Sequence, residues 1–177
     1  MSSVLGIDAS SSVVGYSILN EDLSLEDVGY VKLKNGMSLI EKSLVIREKF
    51  CNIKENYSID FVGIEDILTK FIAGKSSIKT IITLSQFNIL TQFHLYEVFN
   101  IIPHKLNVLR ARNLCGIKIP KGYNSKEFVL KEVQEWYSDI EWPEKRTGGL
   151  KNECFDMADS LVVSKAMVME NRVNGSS

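Results

Sequence analysis

Hydrophobic positions along this chain come first as short runs and later as helical stripes. Residues 4–7 (Val-Leu-Gly-Ile) form an apolar run that ends in Asp8; small and hydroxyl residues follow, and residues 13–19 form a second run. Runs of this length bounded by turn residues predict two strands of a hairpin. Residues 28–33 predict a third strand, closed by the strong turn pair Asn35-Gly36. Three strands joined by tight turns make an antiparallel meander. From Ser38 the pattern changes to helical spacing: Leu39, Ile40, Leu44, Ile46, Phe50, Cys51 and Ile53 recur as far as Tyr57, and Ser38 with Glu41 reads as a capping box. Residues 59–64 predict a fourth strand, which ends in Glu65-Asp66.

A helix is predicted from Ser76 to Phe99, with Ile, Leu and Phe on several sides, so it should be largely buried. Ile101-Ile102 predicts a short strand before Pro103. Asn107 caps a short helix carrying Arg110 and Arg112, stopped by Gly116. Asn124 or Ser125 caps the next helix, to Tyr137. Residues 138–151, with Pro143, Gly148 and Gly149, predict a long mobile loop. The last helix runs from Asn152 to Asn171. This order predicts an α/β layered domain with a mixed sheet whose first three strands are antiparallel. Residues 1–172 are expected to form one domain and 173–177 a flexible tail.

Composition narrows the class more than the function. Hydrophobic residues make up 45% of the 177 and charged residues 24%, as in soluble globular proteins. No apolar run is long enough to cross a bilayer, and the start of the chain lacks signal-peptide character. Cys51, Cys115 and Cys154 show no CxxC spacing, and only His94 and His104 could join them, which disfavours zinc. Reduced thiols fit a cytoplasmic location. The net charge of −1 hides a segregation: residues 67–126 hold nine Lys/Arg and one acid, about +8, and the remainder holds 12 Lys/Arg and 21 Asp/Glu, or −9. Such a division is either a solvated face or the footprint of a protein that grips a polyanion and keeps an acidic site elsewhere.

The acids supply the candidate chemistry. Two apolar strands each end in a carboxylate, Asp8 and Glu65, and the last helix carries Glu153, Asp156 and Asp159 at three-residue intervals on one face, among apolar neighbours. Any one of these acids alone reads equally as turn or surface polarity. Together, Asp8, Glu65, Asp156 and Asp159 demand a counter-charge. Oxygen ligands without His or thiolate suit Mg²⁺ or Mn²⁺. Two such ions about 3.5–4 Å apart would stabilise the attacking and leaving oxygens of a phosphoryl displacement.

Three motifs then resemble the RuvC family of Holliday junction resolvases, within the RNase H-like nucleases. Residues 5–16, LGIDASSSVVGY, look like the family's LGID-x-G-S-x-x-x-G-Y; residues 62–66, VGIED, look like its second strand ending in Glu; residues 155–161, FDMADSL, look like its closing D-x-x-D-A-L. The resemblance implies a three-layer α/β fold with a five-stranded mixed sheet, metal ligands Asp8, Glu65, Asp156 and Asp159, and Mg²⁺- or Mn²⁺-dependent hydrolysis leaving 5′-phosphate and 3′-hydroxyl ends. It implies a homodimer acting on four-way junctions. Lys126, in Asn-Ser-Lys-Glu, looks like a family basic residue beside the acids, and Arg110 or Arg112 like another. Two departures stand out: Ala9-Ser10 replaces the usual Pro-Gly, and Asp66-Ile67-Leu68 stands where an aromatic wedge is common, leaving Leu68 or Phe71 as substitutes. With the 138–151 loop they suggest a divergent member, of phage or viral origin, acting in the host cytoplasm.

DNA contacts are expected from Lys70, Phe71, Lys75, Lys79, Lys105, Arg110, Arg112, Lys118, Lys121 and Lys126. His94 is expected in the core or at a dimer face, and His104 is a lesser candidate near the metals. Trp136 and Trp142 are expected to pack, and Ser10, Ser11 and Ser12 have no paired His. Two rival readings are a catalytically silent junction clamp of the same fold and an actin-like nucleotide-binding or RNA-processing relative. The four acids argue against the first. The lack of a second Gly-rich phosphate loop argues against the second.

Overall fold

The structure is a computed structural model that describes residues 2–66 and 77–175, with side chains as far as Asn171. A five-stranded sheet has the order β3-β2-β1-β4-β5, from β1 (Ser3–Ala9), β2 (Val13–Asn20), β3 (Leu25–Lys32), β4 (Phe61–Glu65) and β5 (His104–Leu106). The β1, β2 and β3 pairings are antiparallel, and β4 and β5 join in parallel, so the sheet is mixed as expected. One face packs on α1 (Leu39–Asn56) and α2 (Ile78–Phe99). The other is covered by α5 (Glu153–Gly175), backed by α3 (Val108–Leu114) and α4 (Ser125–Trp136).

Strand alternation divides the core. Leu5, Ile7, Val14, Tyr16, Ile18, Val62 and Ile64 point to the α1/α2 face and bury against Ile46, Phe50, Ile53, Phe87 and Leu95. Val4, Leu19 and Leu106 point to the α5 face and pack with Leu161, Val162 and Ala166. On that second face each of the three central strands carries a glycine where α5 crosses. A Cβ at Gly6 would lie 2.6 Å from the Ser164 nitrogen, and one at Gly63 would lie 2.7 Å from Met167 Cγ. At Gly15 it would collide with the backbone of Asp156. The glycines let the helix lie directly on the sheet, and Ser17 and Ser164 hydroxyls, 2.8 Å apart, tie the two layers in the buried centre.

The capping box at Ser38 and Glu41 is present, and Asn107 and Asn124 are the caps of α3 and α4. Three expectations need correction. The fifth strand is His104–Leu106, not Ile101-Ile102: Asn100 turns the chain in a left-handed conformation at φ 58°, Ile102 is left 81% exposed, and the ladder to β4 begins at His104. The third strand starts three residues early, at Leu25, because a register shift at Ile18/Leu19 extends the pairing with β2. Where burial was expected, α2 leaves Ile78, Ile82, Ile89, Phe93 and Tyr96 on an outer stripe, each at least 48% exposed. Its inner face buries Asn88, Thr91 and His94 among the apolar residues. His94 is thus a core residue, bonded to Glu97 at 3.0 Å and Ser43 at 3.2 Å. The 138–151 segment is irregular, as expected, with one antiparallel bridge between Glu144 and Leu150. The last helix is assigned to Gly175, into the segment expected as a tail.

Candidate carboxylate site

Strand register alone brings the first two acids together. The β1–β4 ladder runs to Ile7 opposite Ile64, so Asp8 and Glu65 are the next residues on neighbouring parallel strands, which lie about 4.8 Å apart. Both share the sheet face of Gly6 and Gly63, the face that α5 covers. Glu65 is held in place on two sides. Its carbonyl accepts from Asn88 Nδ2 of α2 at 3.2 Å, and Asp66 N–H donates to the Leu106 carbonyl at 2.8 Å.

The helix supplies the other two. Asp8 pairs with Gly15 across β1–β2, and Gly15 underlies the backbone of Asp156. Asp159 follows one turn later. Glu153, the third acid of the same stripe, is paired instead: Lys32 Nζ binds it at 2.7 Å and holds its carboxyl below the usual range.

The four carboxyls feel one another. Burial, then Glu65, Asp159 and Asp156, hold the Asp8 carboxyl well above the ordinary range. Burial and Asp159 push Glu65 up to about 7, against Arg112 and Lys126. Asp156 is pushed up to about 6 by burial and Asp159, with Lys126 opposing. Burial raises Asp159 too, against Arg112 and Lys126. Arg112 Nη2 lies 3.6 Å from Asp159 Oδ1, both side chains are largely buried, and Arg112 Nε is enclosed without a hydrogen-bond partner. Lys126 stands at the open side, 5.9 Å above the Phe155 ring.

An oxygen-only, partly desolvated donor set of this kind fits a hard divalent cation. As the side chains stand, no group of three or more His, Cys, Asp or Glu among the described residues is drawn together into a ready-made metal site. Arg112, rather than a closed ligand ring, is what meets Asp159.

Of the two arginines considered beside the acids, Arg112 is the one at Asp159. Arg110 pairs with Glu170, as does His104 at 3.1 Å. Glu170 lies eleven residues beyond Asp159 on α5, about 16 Å along its axis, so His104 and Arg110 form a separate cluster. Lys79, Lys105, Lys118 and Lys121 are exposed at scattered positions. Lys70, Phe71 and Lys75, with Leu68, lie outside the described residues. Trp136 and Trp142 pack against the α5 core, Trp136 also under Lys165 Nζ at 3.4 Å. Ser10 builds the first turn: its hydroxyl accepts from Val13 N–H at 3.1 Å and its own N–H donates to the Val13 carbonyl at 3.0 Å. The departure from Pro-Gly is thus filled by a side chain that closes the turn. Sequence reasoning missed Lys32, Lys34, Lys145 and Lys151, which join Lys126 beside Asp156 only in space.

No family model matches the chain. Over 70 residues it is 34% identical to the crossover junction endodeoxyribonuclease RuvC of Legionella pneumophila strain Lens, a match spanning 38% of this chain and 40% of that relative. The corresponding protein of strain Corby matches to the same extent. Among solved structures, the chain is similar to T. thermophilus RuvC in complex with Holliday junction substrate, with TM-score 0.72 at 13% identity over 98% of this chain and 96% of that one. It is also similar to the yeast mitochondrial Holliday junction resolvase, with TM-score 0.62 at 15% identity over 98% of this chain and 81% of that one. The architecture is therefore the RNase H-like three-layer α/β fold that these structures share.

Proposed function

We propose that this protein is a metal-dependent endonuclease that hydrolyses phosphodiesters in branched DNA, four-way junctions foremost. The observation that carries this reading is the convergence of Asp8, Glu65, Asp156 and Asp159, from two strand ends and one helix, into one partly buried acidic group. Lys126 offsets all four acids, and Arg112 offsets Glu65 and Asp159. The deficit of positive charge is what a divalent ion would fill, and the similarity to junction resolvases in sequence and fold supports the choice of substrate.

Asp8, Glu65, Asp156 and Asp159 would hold Mg²⁺ or Mn²⁺, two ions per site in our reading. When bound, such ions would polarise a phosphoryl oxygen and lower the pKa of a bound water so that it can act as a nucleophile near neutral pH. The residues of the chain provide the frame. Asp8 and Glu65 are fixed by the ladder, and Asp156 and Asp159 by the glycine-lined seat of α5. Lys126, at the open side, is positioned to hold the non-bridging oxygens of the phosphate. Arg112 partly offsets the charge of the inner acids, Glu65 and Asp159.

A homodimer would present two such sites to opposed strands. The outer stripe of α2, from Ile82 through Ile89 and Phe93 to Tyr96, is an apolar face suited to pairing with its own copy.

A junction-binding protein that does not cut is the second reading, favoured by one observation: the acids are not drawn into a ligand cluster as they stand. The two separate cleanly. Purified protein is offered four-way junctions, three-way branches and flaps in Mg²⁺, Mn²⁺, Ca²⁺ or chelator. Cutting of the four-way junction in Mg²⁺ or Mn²⁺ alone supports the nuclease. Tight binding without cutting in either ion supports the clamp.

A further inference from the structure

We propose that the 143–151 hairpin, with Lys32 and Lys34, is a clamp on the sugar-phosphate backbone of the DNA strand that runs into the carboxylate site. This rests on the nuclease reading above and adds the route by which the strand arrives.

The hairpin is a built element. Glu144 and Leu150 form an antiparallel bridge; Lys145 N–H donates to the Gly149 carbonyl at 2.8 Å and Gly148 N–H to the Lys145 carbonyl at 2.9 Å. Gly148 and Gly149 both have left-handed backbone, φ 90° and 77°, which a turn this tight requires. Its base is anchored: Lys151 N–H donates to the Pro143 carbonyl at 2.9 Å, Cys154 Sγ reaches the same carbonyl at 3.4 Å, and Trp142 and Leu150 pack against the α5 core. Residues 144–149, with Lys145 and Arg146, are exposed. The chain from the hairpin enters α5 directly, so the anchored base lies five residues from Asp156.

A groove of about 960 Å³ lies beside it. Its lining draws lysines from three separate parts of the chain: Lys145 and Lys151 from the hairpin, Lys32 and Lys34 from the end of β3, and Lys126 from α4. Against these five, the lining acids are Glu153, already bound by Lys32, and Asp156 of the carboxylate site. Hydroxyl and amide groups of Ser10, Ser12, Asn35 and Asn152 line the same groove. A track of five ammonium groups, one of them shared with Glu153, and neutral donors, opening beside Asp156, is suited to phosphate oxygens rather than base edges. Four of the five lysines lie outside the basic 67–126 segment, in a part of the sequence whose net charge is −9. Only folding gathers them.

The test is equilibrium binding of a fluorescent four-way junction, in Ca²⁺, from low to high salt. Wild type is compared with a Lys145→Ala, Arg146→Ala, Lys151→Ala variant and with Lys34→Ala on the facing segment. Lys34, Lys145 and Arg146 are exposed and Lys151 is half-buried, its hydrogen bond to Pro143 being through the backbone, so thermal melting should stay close to wild type. The expected result is binding weakened by about tenfold or more at 150 mM salt for the triple variant, with a slope of log K against log salt shallower by about 2–3. Lys34→Ala should lower the slope by about 1. Unchanged affinity and slope in both variants, beside a wild type that binds and cuts, overturn the clamp and leave the nuclease intact. A wild type that binds no branched DNA overturns the nuclease reading and the clamp with it.

Discussion

Gly15 lies directly beneath the backbone of Asp156, so close that a Cβ on it would collide with the Asp156 carbonyl. Because Gly15 is also the cross-strand partner of Asp8, this one contact sets the position of the helical acids over the strand acid. A methyl group there has no flexible neighbour to displace; it must push α5 off the sheet. Gly15→Ala should therefore destabilise the protein by about 1–3 kcal/mol, the usual cost of overpacking, and abolish cleavage. Denaturant unfolding together with junction cleavage checks this. A variant of wild-type stability and activity would mean that α5 is not seated as described.

The raised carboxyls make stability fall with pH. A carboxyl whose pKa is higher in the folded chain than in the unfolded one keeps its proton longer when folded, so stability is lost as pH rises through that interval. With Asp156 near 6 and Glu65 near 7, against ordinary values near 4, the loss runs from about pH 4 to pH 7. Thermal melting in chelator should give a lower Tm at pH 8 than at pH 5, and Glu65→Gln should flatten the difference. Addition of Mg²⁺ or Mn²⁺ should recover Tm at pH 8 far more than at pH 5, because the ion needs deprotonated ligands. A Tm in chelator that rises across this range contradicts the electrostatic account.

Arg112 is the inner counter-charge. Its removal leaves Asp159 and Glu65 without their nearest cation. Arg112→Ala should cost about 1–3 kcal/mol at pH 8 and less at pH 5, where the acids are protonated. Unfolding in urea at the two pH values measures it. An equal cost at both would show that Arg112 contributes packing alone.

In the proposed homodimer the outer stripe of α2 would carry the self-association. Phe93, 59% exposed, sits between Ile89 and Tyr96 on the outer stripe. Phe93→Glu should convert a dimer to a monomer in light scattering and leave the circular dichroism spectrum unchanged. A wild type that is monomeric at high concentration removes the dimer from the proposal.

The meander, the capping box at Ser38 and the acid at the end of each central strand were legible because they rest on local chemistry: period-two apolar runs, turn pairs and caps. Ile7 and Ile64 each precede an acid in the sequence, and pairing those two strands was enough to place Asp8 beside Glu65. Tertiary packing hid the rest. Asn88, Thr91 and His94 of α2 turn inward, Asn88 to the Glu65 carbonyl, Thr91 to the Phe87 carbonyl one turn back and His94 to Ser43 of α1, which sends Ile82 and Phe93 outward, the reverse of what hydropathy alone predicts. Arg110 and Arg112 are two residues apart on a short helix and were indistinguishable by spacing. Only the position of α5 assigns one to Glu170 and the other to Asp159. Lys32, Lys34, Lys145 and Lys151 carried no common signal, since more than a hundred residues separate the two pairs.

Single-turnover cleavage of a four-way junction by wild type and Asp8→Asn, each with its binding affinity measured on the same DNA, tests the central claim most directly. In Mg²⁺ the wild type should cut and Asp8→Asn should bind with comparable affinity while cutting no faster than background. Normal cutting by Asp8→Asn would contradict the assignment of the site.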